Sequence, residues 1–272
     1  LPKRRQKRAV IIAGFIALLL FLCLAWLAYS GIRQDRLDRA LFLALEESNP
    51  SQVTSLLKQG ANPNARDRRK DLPLTFITYF RDLFRPYRNT PQGKPALIYA
   101  ASDRDMTIIG LSVDDCECIK ALAAGGANVN VQAENGSTVL ISATGNQNEE
   151  LVAYLLNHGA NVNLATYESI PPLSFAASDY TDNPRILDML LEHGATVNKQ
   201  DMFGKTALME AIGADQVNGV KVLLDHGANP NLRDRWGKAA LDYATETPWR
   251  LNEKHEANKR QILHALKLAG AK

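Results

Sequence analysis

A nine-residue phrase, Leu-Leu-x-x-Gly-Ala-Asn-x-Asn, returns with small variations at Leu56–Asn64, Leu122–Asn130, Leu155–Asn163, Leu190–Asn198 and Leu223–Asn231. A degraded copy, LKLAGAK, occupies Leu266–Lys272. Successive glycines of the phrase lie 66, 33, 35, 33 and 43 residues apart. A period near 33 predicts a stack of equal supersecondary units, none able to bury its apolar face alone.

Each position in the phrase has a physical task. The leucine pair, with an apolar residue one turn earlier (Val152 before Leu155 and Leu156), makes the buried stripe of a short helix. Gly60, Gly126, Gly159, Gly194 and Gly227 stand where the helix must end in a left-handed residue, a conformation glycine adopts without steric cost. The alanine that follows is small enough to lie beneath the turn, and the asparagines can bond nearby backbone through the reversal. About ten residues on, Thr138-Val139-Leu140, Pro171-Pro172-Leu173 and Thr206-Ala207-Leu208 read as starts of a second helix, with threonine as cap or proline in the first turn.

Helix, tight turn, helix and extended turn at this period resembles the ankyrin-repeat family, over roughly residues 37 to 272. The family's Thr-Pro-Leu-His helix opening is nowhere intact; its histidine position holds Ile98, Ile141, Ser174 and Met209. The resemblance implies an all-α solenoid of about six units that binds proteins through its turn tips and the exposed side of its first helices. The tip residues in that register include Gln132, Glu134, Tyr167, Met202, Phe203, Arg233, Arg235 and Trp236. Phe203 and Trp236 share one register in adjacent units and are expected side by side. Exposed aromatics beside arginine suit an interface, although apolar residues there also pack on the next turn.

Ala9 to Tyr29 contains no charge, and 21 helical residues would span about 30 Å, the thickness of a bilayer core. Five cations precede it in residues 1–8, and Arg33, Arg36 and Arg39 follow, interleaved with Asp35 and Asp38. The expectation is a basic cytoplasmic tail (1–8), a transmembrane helix (9–29), a short tether (30–36) and a stack (37–272) outside the cytoplasm, periplasmic in a bacterium. Inverted insertion would instead make the stack a tethered cytoplasmic adaptor. A cleaved signal peptide is the competing reading, with Ala28-Tyr29-Ser30 before Gly31; its apolar core would exceed the usual ~7–15 residues.

An insertion near 68–93 interrupts the second unit, and Asp103–Val113 forms a shorter one. From Arg66 to Lys94 there are eight Lys/Arg against three Asp, whereas the chain beyond 94 has 15 Lys/Arg against 22 Asp/Glu. Phe76, Tyr79, Phe80, Phe84 and Tyr87 fall at helical spacing opposite Arg81 and Arg88. Such a helix could pack on the stack, lie on a membrane surface, or dock a partner. Nucleic acid is a poor partner for so acidic a stack.

No catalytic or cofactor-binding motif is present. His158, His193 and His226 recur at one register, too far apart in successive units to share a metal ion. Cys116 and Cys118 lie two apart on a helix, about 200° around it, which suits core packing rather than a disulfide. No enzyme activity, cofactor, metal or small-molecule substrate is expected. The function this predicts is a membrane-anchored protein-binding scaffold with an unidentified protein partner. The alternative is an inhibitor or immunity-type protein that neutralises a secreted enzyme at the membrane.

Overall fold

A computed structural model describes residues 2–67, 94–101, 112–246 and 253–272, with the side chains of 2–14, 17 and 253 excepted. Twelve helices are described: α1 (Pro2–Glu46), α2 (Pro50–Lys58), α3 (Ala96–Ala100), α4 (Val113–Ala124), α5 (Val139–Gly145), α6 (Glu149–Asn157), α7 (Pro172–Ala177), α8 (Pro184–Glu192), α9 (Ala207–Gly213), α10 (Val217–Asp225), α11 (Ala240–Glu246) and α12 (Glu253–Leu268). Consecutive helices pair into six units, beginning with the C-terminal part of α1 and α2. From the third unit on, each helix packs on its counterparts in neighbouring units.

The helix ends follow the local chemistry. Thr138 and Thr206 accept the amides of Ile141 and Met209 at 3.2 and 3.4 Å, and Pro172 fills the first position of α7. Asn49, Asn148 and Asn183 cap α2, α6 and α8. The repeat glycines have φ of +83° to +100°. One continuous core runs through the stack, in which Leu151, Leu155, Leu187, Leu190 and Leu223 are fully buried. Each such side chain contributes about 1.5–3 kcal/mol. Cys116 and Cys118 are both buried, and neither is joined in a disulfide among the described residues.

The asparagines do more than hold a local reversal. The first of each pair accepts an amide two residues on, as Asn161 does from Asn163 at 3.0 Å. The second crosses to the next unit, where its amide group donates to the repeat-glycine carbonyl and its oxygen accepts a backbone N–H. Asn64 makes these bonds to Gly126 and Asn128, at 3.1 and 2.7 Å. Asn130, Asn163, Asn198 and Asn231 repeat them down the stack, the last reaching Gly270 and Lys272.

At the first unit no asparagine precedes, and α1 supplies the two halves separately. Asp38 accepts the Asn62 amide at 2.9 Å, while Gln34 one turn earlier donates to the Gly60 carbonyl at 3.1 Å. A carboxylate can only accept, so the donor has to come from a second residue. The helix therefore caps the ladder as well as filling the first core layer with Leu41, Phe42, Ala44 and Leu45.

The expectation of a transmembrane helix over 9–29 is corrected. Among the described residues, no helix is long and apolar enough to cross a membrane. The side chains of 9–14 and 17 lie outside the described residues. The apolar run whose side chains are described, Leu18–Tyr29, lies within α1. Its side chains are mostly exposed, and the same helix runs without a break through 30–36 to Glu46. The expectations resting on a span are corrected with it: single-pass topology with extracytoplasmic repeats, membrane contact through 9–29, an anchored scaffold, an inhibitor acting at the membrane, and a membrane-tethered adaptor.

The insertion 68–93, with Phe76, Tyr79, Phe80, Phe84 and Tyr87, lies outside the described residues, as do 102–111 and 247–252. The insertion departs from a closed base: Arg66 and Pro95 form an antiparallel bridge, and the Asp67 amide donates to the Lys94 carbonyl at 2.9 Å.

Candidate protein-interaction surface

Among the described residues, four hairpin tips lie between helix pairs, at 131–137, 164–170, 199–205 and 232–238. Each is closed by its own backbone, as where the Asp201 amide donates to Lys205 and the Asp234 amide to Lys238, both at 3.0 Å. Tips are also joined to one another. The amides of Tyr167, Met202 and Arg235 donate to the carbonyls of Asn135, Glu168 and Phe203 in the preceding tip, at 3.1, 3.0 and 2.9 Å.

This ladder demands close approach. A Cβ on Gly136 would sit 2.6 Å from the Tyr167 nitrogen, and one on Gly204 would sit 3.0 Å from the Asp234 Cα. Both glycines have φ of +81°, so a side chain is opposed by backbone conformation and by space. The matching residue of the second tip is Ser169, at φ +62°. Ser169→Gly is expected to raise stability by about 0.5–1 kcal/mol, while Gly204→Ala should lower it by about 1–3 kcal/mol. Thermal midpoints of the two variants check both signs.

Aspartates brace the last two tips. Asp201 accepts the amides of Phe203 and Lys205, both at 2.8 Å. Asp234 accepts those of Trp236 and Lys238, both at 2.9 Å, and the Tyr243 hydroxyl at 2.7 Å. Burial pushes the Asp234 carboxyl up, but the Tyr243 hydroxyl and the two amides outweigh it and hold the group below its ordinary value. Burial and the Asp234 charge together push the Tyr243 phenol well above its ordinary range.

The residues expected at the tips divide by role. Gln132 donates to the carbonyls of Gly136 and Ala165, at 2.8 and 3.1 Å, and Gln200, two units on, makes the equivalent bonds to Gly204 and Arg233. Its amide therefore pins tip to tip and is not offered outward. Arg233 donates to the Gly237 carbonyl of its own tip. Two outward rows remain: Glu134, Tyr167, Met202 and Arg235 in one, and Asn135, Glu168, Phe203 and Trp236 in the other. Tyr167 is 73% exposed and Trp236 63%. Phe203 and Trp236 stack with centroids 6.2 Å apart and planes 15° from parallel.

The supporting pair Asp234–Tyr243 was not legible in advance. Asp201 and Asp234 recur at one turn position, but nothing in the spacing marks Tyr243 as a partner. The three recurrent histidines bond their own helix ends, with Nδ1 2.8, 2.8 and 3.0 Å from the carbonyls of Tyr154, Met189 and Val222. Among the described residues, no group of three or more His, Cys, Asp or Glu side chains could hold a metal ion.

A family model described as ankyrin repeats matches the chain three times, over residues 41–164, 108–201 and 173–252. Over 152 residues the chain is also 30% identical to the nuclear factor NF-kappa-B p105 subunit of Gallus gallus, an alignment taking in 54% of this chain and 16% of that protein. The chain thus spans less than a fifth of that relative's length. The repeat period, the turn glycines, the inter-unit asparagines and the family match all bear on one conclusion: the chain belongs to the ankyrin-repeat family.

Proposed function

We propose that the chain is a protein-binding scaffold whose interface is the outward face of the hairpin tips, working by shape and charge complementarity without covalent chemistry. The observation that carries this reading is the exposure of Tyr167, Met202, Phe203 and Trp236 on tips that backbone bonds hold to one another. Large apolar side chains on a rigid frame lose little entropy when they bind, which makes them effective anchors. Arg235 stands beside Trp236 and adds a charge that steers encounter.

A tip anchor truncated to alanine should cost about 2 kcal/mol of binding, roughly thirtyfold in affinity. The experiment places a photo-cross-linker at the tips of the full chain, identifies the partner it captures, and titrates that partner against wild type, Trp236→Ala and Phe203→Ala. Thermal melting of each variant excludes a folding defect. Partner affinity unchanged in both variants would remove the tips from the interface and sink the reading.

A further inference from the structure

Two Asn-Gly pairs occur in the chain, Asn135-Gly136 and Asn218-Gly219. In this dipeptide the glycine has no side chain to shield its nitrogen, which can attack the asparagine side-chain carbonyl and expel ammonia. Both asparagines are exposed, so access of water does not separate them. Their surroundings do.

Asn135 lies in the first hairpin tip, where its Oδ1 accepts the Ser137 amide at 3.0 Å. That bond folds the side chain over the intervening peptide and turns Cγ toward the Gly136 nitrogen, the arrangement the attack needs. The same amide points at the oxygen on which negative charge develops. Among the described residues, nothing bonds Asn135 Nδ2, the nitrogen that has to leave. One bond opposes the reaction: the Gly136 amide donates to the Ala133 carbonyl at 3.0 Å and has to be released.

Asn218 is held differently. It stands in the first turn of α10, where each Cα–Cβ bond tilts toward the helix N-terminus and so away from the following nitrogen. Asp182 of the preceding unit accepts Asn218 Nδ2 at 3.1 Å and the Gly219 amide at 3.2 Å. Leaving group and nucleophile are thus both tied. Among the described residues, five further asparagines accept the amide two residues on, as Asn135 does, but none precedes glycine. Proline, whose nitrogen has no proton to lose, follows Asn62, Asn183 and Asn229, and β-branched valine crowds the attack at Asn128 and Asn161.

We infer that Asn135 is a site of spontaneous deamidation, with water as the co-reactant, and that the fold directs the reaction there and away from Asn218. The Gly136 nitrogen loses its proton to solvent hydroxide, and its electron pair forms a bond to Asn135 Cγ. The Cγ–Nδ2 bond breaks, and the nitrogen departs as ammonia after taking a proton from water. Water then opens the cyclic imide at either carbonyl, leaving aspartate or isoaspartate. Aspartate adds a negative charge beside Glu134. Isoaspartate reroutes the chain through Cγ and turns the carbonyl that accepts the Tyr167 amide at 3.1 Å into a carboxylate. The joint between the first two tips is then altered without any change in the encoded sequence.

The test incubates the full chain in mildly alkaline buffer, folded and in guanidinium chloride, with circular dichroism verifying both states. Peptide mass spectrometry follows each asparagine, and isoaspartyl methyltransferase labelling detects the rearranged product. In the folded chain Asn135 should convert about tenfold or more faster than Asn218, Asn128 or Asn161. In denaturant, where neither tip nor helix survives, the two Asn-Gly pairs should converge to similar rates while the Asn-Val pairs stay slow. Equal rates at Asn135 and Asn218 in the folded chain, a faster Asn218, or a difference that persists after unfolding would each overturn the inference. So would an Asn135 that reacts only in denaturant, because the bond from Gly136 to Ala133 would then close the site.

Discussion

Leu190→Ala is expected to lower the stability of the stack by about 2–5 kcal/mol. Leu190 lies in α8, the second helix of the fourth unit, and is fully buried. Truncation removes the transfer free energy of its side chain and leaves a cavity that the two flanking units can close only by shifting inward out of their present packing. The position also matters. A solenoid is held by contacts between neighbours, so weakening a central unit uncouples the units on either side. The denaturation curve should therefore show a lower midpoint and a shallower slope, or two transitions in place of one. Circular dichroism followed in urea tests this, and Leu190→Met, which conserves volume, should cost less than about 1.5 kcal/mol. A loss below 1 kcal/mol for the alanine variant would mean that the central interface is not as tightly packed as its burial implies.

Asp234→Ala ranks second. Three donors converge on this carboxylate: the amides of Trp236 and Lys238 and the hydroxyl of Tyr243. Removing the acceptor leaves those donors without a partner, at about 1–3 kcal/mol for a buried group. Trp236 should then lose its fixed place against Phe203, and its emission should shift and become more accessible to a soluble quencher. The titration has a definite sign. The folded carboxyl sits below its ordinary value, so in acid the unfolded chain takes up this proton first. Stability from Asp234 is fully present above the unfolded pKa of about 3.9 and is lost as pH falls through the lower folded value. Wild type should lose stability in that window, and Asp234→Asn should lose less of it. Parallel pH profiles for the two proteins would show that the carboxylate charge is not what braces the tip.

The two variants probe different origins of the fold. Leu190 belongs to a signal that can be counted along the chain: apolar residues one turn apart, a glycine at the helix end, and the same arrangement again after some 33 residues. Asp234 belongs to one that cannot. Its recurrence with Asp201 shows that the turn needs an acceptor, but Tyr243 reaches it only because α11 folds back beneath the tip.

What the sequence by itself determined is everything set by neighbours within a helical turn: the caps at Thr138 and Thr206, the left-handed glycines, and the buried faces of Val152, Leu155 and Leu156. These choices involve residues a few positions apart, and the repeat states each of them several times. Tertiary structure decided the contacts between residues some 30 positions apart that no local propensity encodes. Asn163 reaches Gly194, Asp38 and Gln34 jointly replace a missing asparagine, and Gln132 is spent between tips instead of facing a partner. The apolar run near the N-terminus shows the same division. Hydropathy counts its residues, but only the folded chain shows that the helix carrying them continues to Glu46 and becomes the first layer of the stack, because the leucines and phenylalanine at its far end are buried there.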